Sequence, residues 1–219
     1  MRRLLLSKKN MNALFEKRAG LSLIIFTLLI LLTMVLHPAG GNFQQLLKLT
    51  PMILVTHSAA ILSLPFAAIG FWGLTRRIGA EDFMSLTAFA MASLALIAAL
   101  LAATTNGLVL PIFVHRYQDA TPDAVDSLRP VLTYSYALNA AFDYVYTGAF
   151  CLGILGWSLA ILRTKRLPRW IAGWGIVVTI AGVTIICVGA SPASLFGFRL
   201  FVAGLVSWTI VVGMALRQK

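Results

Sequence analysis

Residues 36–66, LHPAGGNFQQLLKLTPMILVTHSAAILSLPF, close one long apolar run, turn, and open another, and they carry two of the three histidines, His37 and His57. The run before them, LSLIIFTLLILLTMVL at residues 21–36, contains no charged residue. It stops at His37-Pro38 because proline disfavours helix at the residue before it, and the following glycines let the chain reverse. A helix needs about 20 mostly apolar residues to cross a bilayer. Six stretches qualify, at about 19–37, 51–75, 83–108, 131–162, 170–190 and 195–216. With 59% hydrophobic and 11% charged residues and a mean hydropathy of +0.88, the chain needs lipid as its solvent. The expected fold is all-α: a polytopic membrane helix bundle of six transmembrane helices, one domain over residues 19–216, preceded by a basic segment at residues 1–18.

The net charge of +11 is a matter of placement. Arg2, Arg3, Lys8, Lys9, Lys17 and Arg18 precede the first span, Arg76 and Arg77 follow the second, Arg163, Lys165, Arg166 and Arg169 separate the fourth from the fifth, and Arg217 and Lys219 close the chain. Only Lys48, Arg116 and Arg129 fall in the opposite loops. Basic residues concentrate in cytoplasmic loops, so both termini are expected in the cytoplasm, with the lipid bilayer as partner and no role for nucleic acid. Residues 1–18 mix those cations with Leu4, Met11, Leu14 and Phe15, which suits a helix lying on an anionic leaflet. A basic region before an apolar run also resembles a signal peptide. The run is long and lacks a small-residue cleavage pattern, so the first span is expected to be retained.

Within the spans the patterns are mostly those of packing. Thr50-Pro51 reads as a helix start. Ala88, Ala92, Ala95, Ala99 and Ala102 form a small-residue seam in the third span, and Gly173, Gly175 and Gly182 suggest close approach in the fifth. Thr121-Pro122-Asp123 marks a short helix ahead of the fourth span. Cys151 and Cys187 form no CxxC pair and read as small apolar residues. Nucleotide-binding glycine loops and a nucleophile elbow are absent from the sequence.

Chemistry is confined to one level. His57, Ile61 and Pro65 share a helical face, and Pro65 frees the Ile61 carbonyl, a way to kink the helix and open a pocket. Tyr136, Asn139, Asp143, Tyr146 and Phe150 share another face. Counting about 20 residues from the basic end of each span brings His37, His57, Asn106, Asp143 and Arg199 to a common depth near the outer rim. Ionisable groups at such depths usually face the bundle interior or a water-filled cavity. Three readings fit this layer. Asp143 pairs with Arg199 and the rest cap helix ends; or His57, Asn106, Tyr136, Asn139, Asp143, Tyr146 and Arg199 bind a small ligand, ion or lipid headgroup on the periplasmic side; or His37, His57, His115 and Asp143 hold zinc or another divalent metal, as in a membrane hydrolase. A structural or accessory subunit would need none of these.

Three features carry a resemblance: His37-Pro38 closing the first span, His57 early in the second, and Leu167-Pro168-Arg169-Trp170 opening the fifth ahead of a glycine-rich run. In these the chain resembles a broad group of six-helix inner-membrane proteins of bacteria, of the domain-of-unknown-function kind. The resemblance covers most of the chain in layout and a dozen or so residues in detail. It implies the six-span fold and the bacterial inner membrane, and no reaction. Members often place Gln or Gly soon after the second-span histidine, where this chain has His-Ser-Ala-Ala at residues 57–60.

Overall fold

The computed structural model describes residues 2–38, 42–187 and 195–218, with side chains from residue 11 onward apart from that of residue 195. The described residues contain no strand, and six of their helical segments are long and apolar enough to span a membrane. The chain is a multi-pass helical membrane bundle. Its elements are α1 (Arg2–Leu36), α2 (Phe43–Ile78), α3 (Phe83–Thr104), a π-helical turn (Thr105–Val109), α4 (Leu110–His115), α5 (Pro122–Asp126), α6 (Arg129–Thr164), α7 (Arg169–Cys187) and α8 (Leu195–Arg217). The spans pack as a closed ring in which α1 touches α2, α2 touches α3, α3 touches α6, α6 touches α7, α7 touches α8, and α8 returns to α1.

Several boundaries differ from the sequence expectation. Residues 2–18 continue α1 without a break, because nothing in FEKRAGLSL interrupts a helix. The second span begins at Phe43 rather than at Pro51, because Asn42 forms a complete cap. Its Oδ1 accepts the Gln45 amide at 3.0 Å, and its own amide donates to Gln45 Oε1 at 3.1 Å. Pro51 therefore lies inside the helix. At 1.5 Å per residue α2 is about 54 Å long, well beyond a hydrocarbon core of roughly 30 Å. Its first turns pack with α4 in a separate apolar cluster of Phe43, Leu46, Ile53, Leu110, Val114 and Leu128. The short helix before the fourth span is present, with Thr121 Oγ1 capping the Ala124 amide at 3.4 Å. The fifth span is described to Cys187, and the remainder of its expected range lies outside the described residues.

Lipid tails are as apolar as a protein core, so helices in a membrane associate through close packing rather than through removal of apolar surface from water. The basic half of the bundle is built accordingly. Ala88 and Ala92 of α3 meet Gly153 and Gly156 of α6, where an added Cβ would lie 3.0 Å from Ala88 Cβ and 3.1 Å from its carbonyl oxygen. Gly73 fits against Ala19, and Gly20 and Gly213 bring α1 onto α8 backbone to backbone. In the interior Phe71, Trp157 and Trp208 stack at centroid separations of 5.1 and 6.0 Å. Both indoles are buried and both N–H groups are satisfied, Trp157 by Thr75 Oγ1 at 3.0 Å and Trp208 by the Ile171 carbonyl at 3.2 Å. The same end is tied by Arg77 to Glu16 at 2.7 Å and by Arg163 to Asp82.

Gly175 and Gly182 do mark close approach, against Trp208 and against Phe201 respectively, whereas Gly173 is exposed with nothing within 4 Å. Replacing Gly73 with Leu is expected to lower stability in detergent by about 1–3 kcal/mol through overpacking against α1. Gly173→Leu is expected to leave the unfolding temperature unchanged or slightly raised, and equal effects of the two would refute the packing assignment.

Candidate functional site

Above the stacked aromatics the bundle is hollow. A cavity of about 300 Å³ runs from Pro38, Gln45 and Leu46 at one end to Phe26, Leu64 and Leu96 at the other. It is lined by α1, α2, α3, α6 and α8, by Asn106 of the π-helical turn and by Leu110 of α4. Six of the seven residues expected to bind a ligand line it: His57, Asn106, Tyr136, Asn139, Asp143 and Tyr146. His37, expected only as a metal ligand, lines it as well.

Asn106, Asn139 and Asp143 of the lining belong to one hydrogen-bonded chain that begins at Ser135. Ser135 Oγ donates to Asn106 Oδ1 at 3.0 Å, Asn106 Nδ2 donates to Asn139 Oδ1 at 2.6 Å, and Asn139 Nδ2 donates to Asp143 Oδ2 at 2.9 Å. Asn139 and Asp143 lie one turn apart on α6, so the carboxylate is steered by its own helix, while Asn106 links that helix to α3. Across the cavity His57 Nδ1 sits 2.9 Å from the Ile53 carbonyl, and His37 Nδ1 sits 3.0 Å from the Pro38 carbonyl. A carbonyl oxygen only accepts, so both Nδ1 atoms carry the proton, and in the neutral rings both Nε2 atoms carry a lone pair. The two imidazoles are 5.2 Å apart, centroid to centroid. Tyr146 forms part of the floor, edge-on to Phe150 at 5.0 Å and to Phe201 at 6.1 Å.

Two features of the site escaped the sequence. The helix from Phe83 to His115 widens into a π turn at Thr105–Val109, where the Leu110 amide donates to the Thr105 carbonyl five residues back. Pro111 has no N–H to offer the Gly107 carbonyl, which favours the bulge. Gly107 in turn faces His57 so closely that a Cβ would overlap the imidazole and its Cβ. The signal was an Asn-Gly pair followed at Pro111 by a proline, all inside an apolar run. Ser135 was the other omission.

Other expectations are corrected. Among the described residues no ion pair joins Asp143 to Arg199. Arg199 is exposed and donates through Nη2 to the His37 carbonyl at 3.0 Å, because it lies on a face of α8 that Phe198 and Val202 turn away from the cavity. His115 ends α4 on the exposed surface, separated from the cavity by Leu110 and Val114. The metal set of His37, His57, His115 and Asp143 is therefore not assembled, and among the described residues no group of three or more His, Cys, Asp or Glu side chains is placed to hold a metal ion. Pro65 is exposed and Ile61 does not line the cavity, whose α2 wall is Leu46, Leu49, Ile53, His57, Ala60 and Leu64. The apolar cluster of α2 and α4 supplies part of the cavity wall through Leu46, Ile53 and Leu110.

The chain has no match among protein families, curated proteins or solved structures. Fold and site together define its class: a six-span membrane protein with an amphipathic internal cavity.

Two predictions test this geometry. Gly107→Ala is expected to lose about 1–3 kcal/mol by collision with His57, and His57→Ala in the same chain should recover much of that loss as a coupling between touching sites; additive effects in thermal unfolding would contradict the contact. His37, just beyond the end of α1, is held below its ordinary pKa by burial and then by His57, with the Pro38 carbonyl opposing and Arg199 adding to the lowering. The unfolded chain thus takes up a proton first as pH falls. The stability from a neutral His37 is complete above about pH 6.5 and is lost as pH drops through the lower folded value. His37→Gln should flatten that decline in unfolding temperature, and an unchanged slope would contradict the assignment.

Proposed function

We propose that the protein binds a small amphipathic ligand inside the outer half of its bundle, as a carrier or sensor in a bacterial inner membrane. The observation that supports this reading is the cavity, whose volume falls at the low end of the range for ligand sites and whose lining joins a hydrogen-bonded polar wall to apolar and aromatic surface. Intramembrane ionisable residues that face a cavity are costly to maintain, which favours a role for Asp143 beyond packing. The basic end of the bundle faces the cytoplasm on this reading, so the cavity lies toward the periplasm. A metal-dependent hydrolase has no assembled ligand set behind it among the described residues.

Native mass spectrometry of the protein taken from its expression membrane into mild detergent tests the proposal. One small-molecule adduct is expected on the wild type. It should disappear in Ala99→Phe, which places a ring in the cavity, while the unfolding temperature holds. A wild type free of adducts, or an adduct that persists in the filled variant, would contradict it.

A further inference from the structure

The charges around the cavity define the kind of ligand. Asp143 is the only acidic residue among its described lining. Its one hydrogen bond among the described residues comes from the uncharged amide of Asn139. Among the described residues no lysine or arginine lines the cavity, and Arg199 of α8 is held at the His37 carbonyl. The chain joining α1 to α2 and α7 to α8, AGG at residues 39–41 and VGASPAS at 188–194, contains no basic residue that might neutralise it. A carboxylate recessed in a membrane bundle without a counter-cation is destabilising unless it takes up a proton or a cation arrives to pair with it.

The two histidines of the lining match the same partner. His37 and His57 each direct the protonated Nδ1 to a backbone carbonyl and so offer a lone pair at Nε2. Carboxylate and imidazole lone pairs are all acceptors, complementary to a group that only donates. An ammonium is such a group, with up to three N–H donors and no acceptor. Phe26, Tyr146 and Phe198 share the lining with Asp143, the rings of Tyr146 and Phe198 pack at 5.7 Å, and aromatic faces attract organic cations. An anion would meet Asp143 with no compensating cation, and a neutral alcohol would leave its charge unmatched.

We infer that the cavity takes organic cations: a protonated amine with an apolar or aromatic tail, its nitrogen donating to the Asp143 carboxylate and its tail against Phe26, Tyr146 and Phe198. This rests on the proposed ligand-binding role and narrows it to one chemical class.

The test uses three compounds that share a tail and differ in headgroup: 4-phenylbutylamine, 4-phenylbutanol and 4-phenylbutyrate. Each is titrated against the full chain in lipid nanodiscs at pH 7, with the rise in unfolding temperature giving an apparent Kd. The amine is expected to bind about tenfold or more tightly than the alcohol, the scale of a charge-assisted hydrogen bond, and the acid weakest. In Asp143→Asn, which keeps side-chain shape and the contact with Asn139, the amine should fall to the affinity of the alcohol while the alcohol is unchanged. Equal binding of amine and alcohol, tightest binding of the acid, or an amine preference that survives Asp143→Asn would overturn the inference while leaving a ligand cavity in place. No binding by any of the three to the wild type would overturn it too, and only the further loss of the native adduct would remove the broader reading.

Discussion

The structure depends on how closely α3 can approach α6. Ala88, Ala92 and Ala95 are buried to 1% exposure or less, and Ala88 and Ala92 lie against Gly153 and Gly156 with scarcely a side chain between the two backbones. In lipid, where apolar surface gains nothing by being hidden from water, this contact is what holds the helices together. The alanine stripe continues beyond the contact, and Ala99 and Ala102 belong to it. There α6 presents Asn139 and Asp143 instead of glycine, and the same small side chains become cavity wall. One stripe thus closes one half of the bundle and leaves the other half hollow.

What holds the hollow half in shape is polar. Asn106 joins the π-helical turn to α6, so the helices beside the cavity are clamped by Ala–Gly packing below and by an amide pair above. The π turn also brings Gly107 against His57, fixing the ring whose Nδ1 is already tied to Ile53. His57, Asn106, Asn139 and Asp143 are therefore each oriented by a neighbour, which is how a membrane cavity can present a defined polar wall rather than a loose polar surface.

Much of this was legible in the sequence because membrane helices announce themselves by length and apolarity. The six spans, the alanine seam and the common depth of His37, His57, Asn106 and Asp143 all follow from counting residues along helices. What could not be read was rotation and local irregularity. Arg199 shares the depth of the site but faces away from it, since depth along an axis says nothing about azimuth between helices, and His115 lies at the end of α4, beyond that depth. Pro65 lies exposed on α2 although it falls on the expected stripe below His57. Gly107 looked like the end of a span, because a glycine followed by a proline usually stops a helix, yet the π turn absorbs the missing bond and carries the helix on to His115.

The transition from closed to hollow along the alanine stripe is most directly tested by thiol accessibility. Single cysteines at positions 88, 92, 95, 99, 102 and 103, in a Cys187→Ser background with buried Cys151 retained, would be exposed to a small water-soluble thiol reagent in nanodiscs. Rapid labelling at 99, 102 and 103, with protection at 88, 92 and 95, is the expected result. Protection at all six positions would mean that the bundle is solid throughout and that no ligand cavity exists.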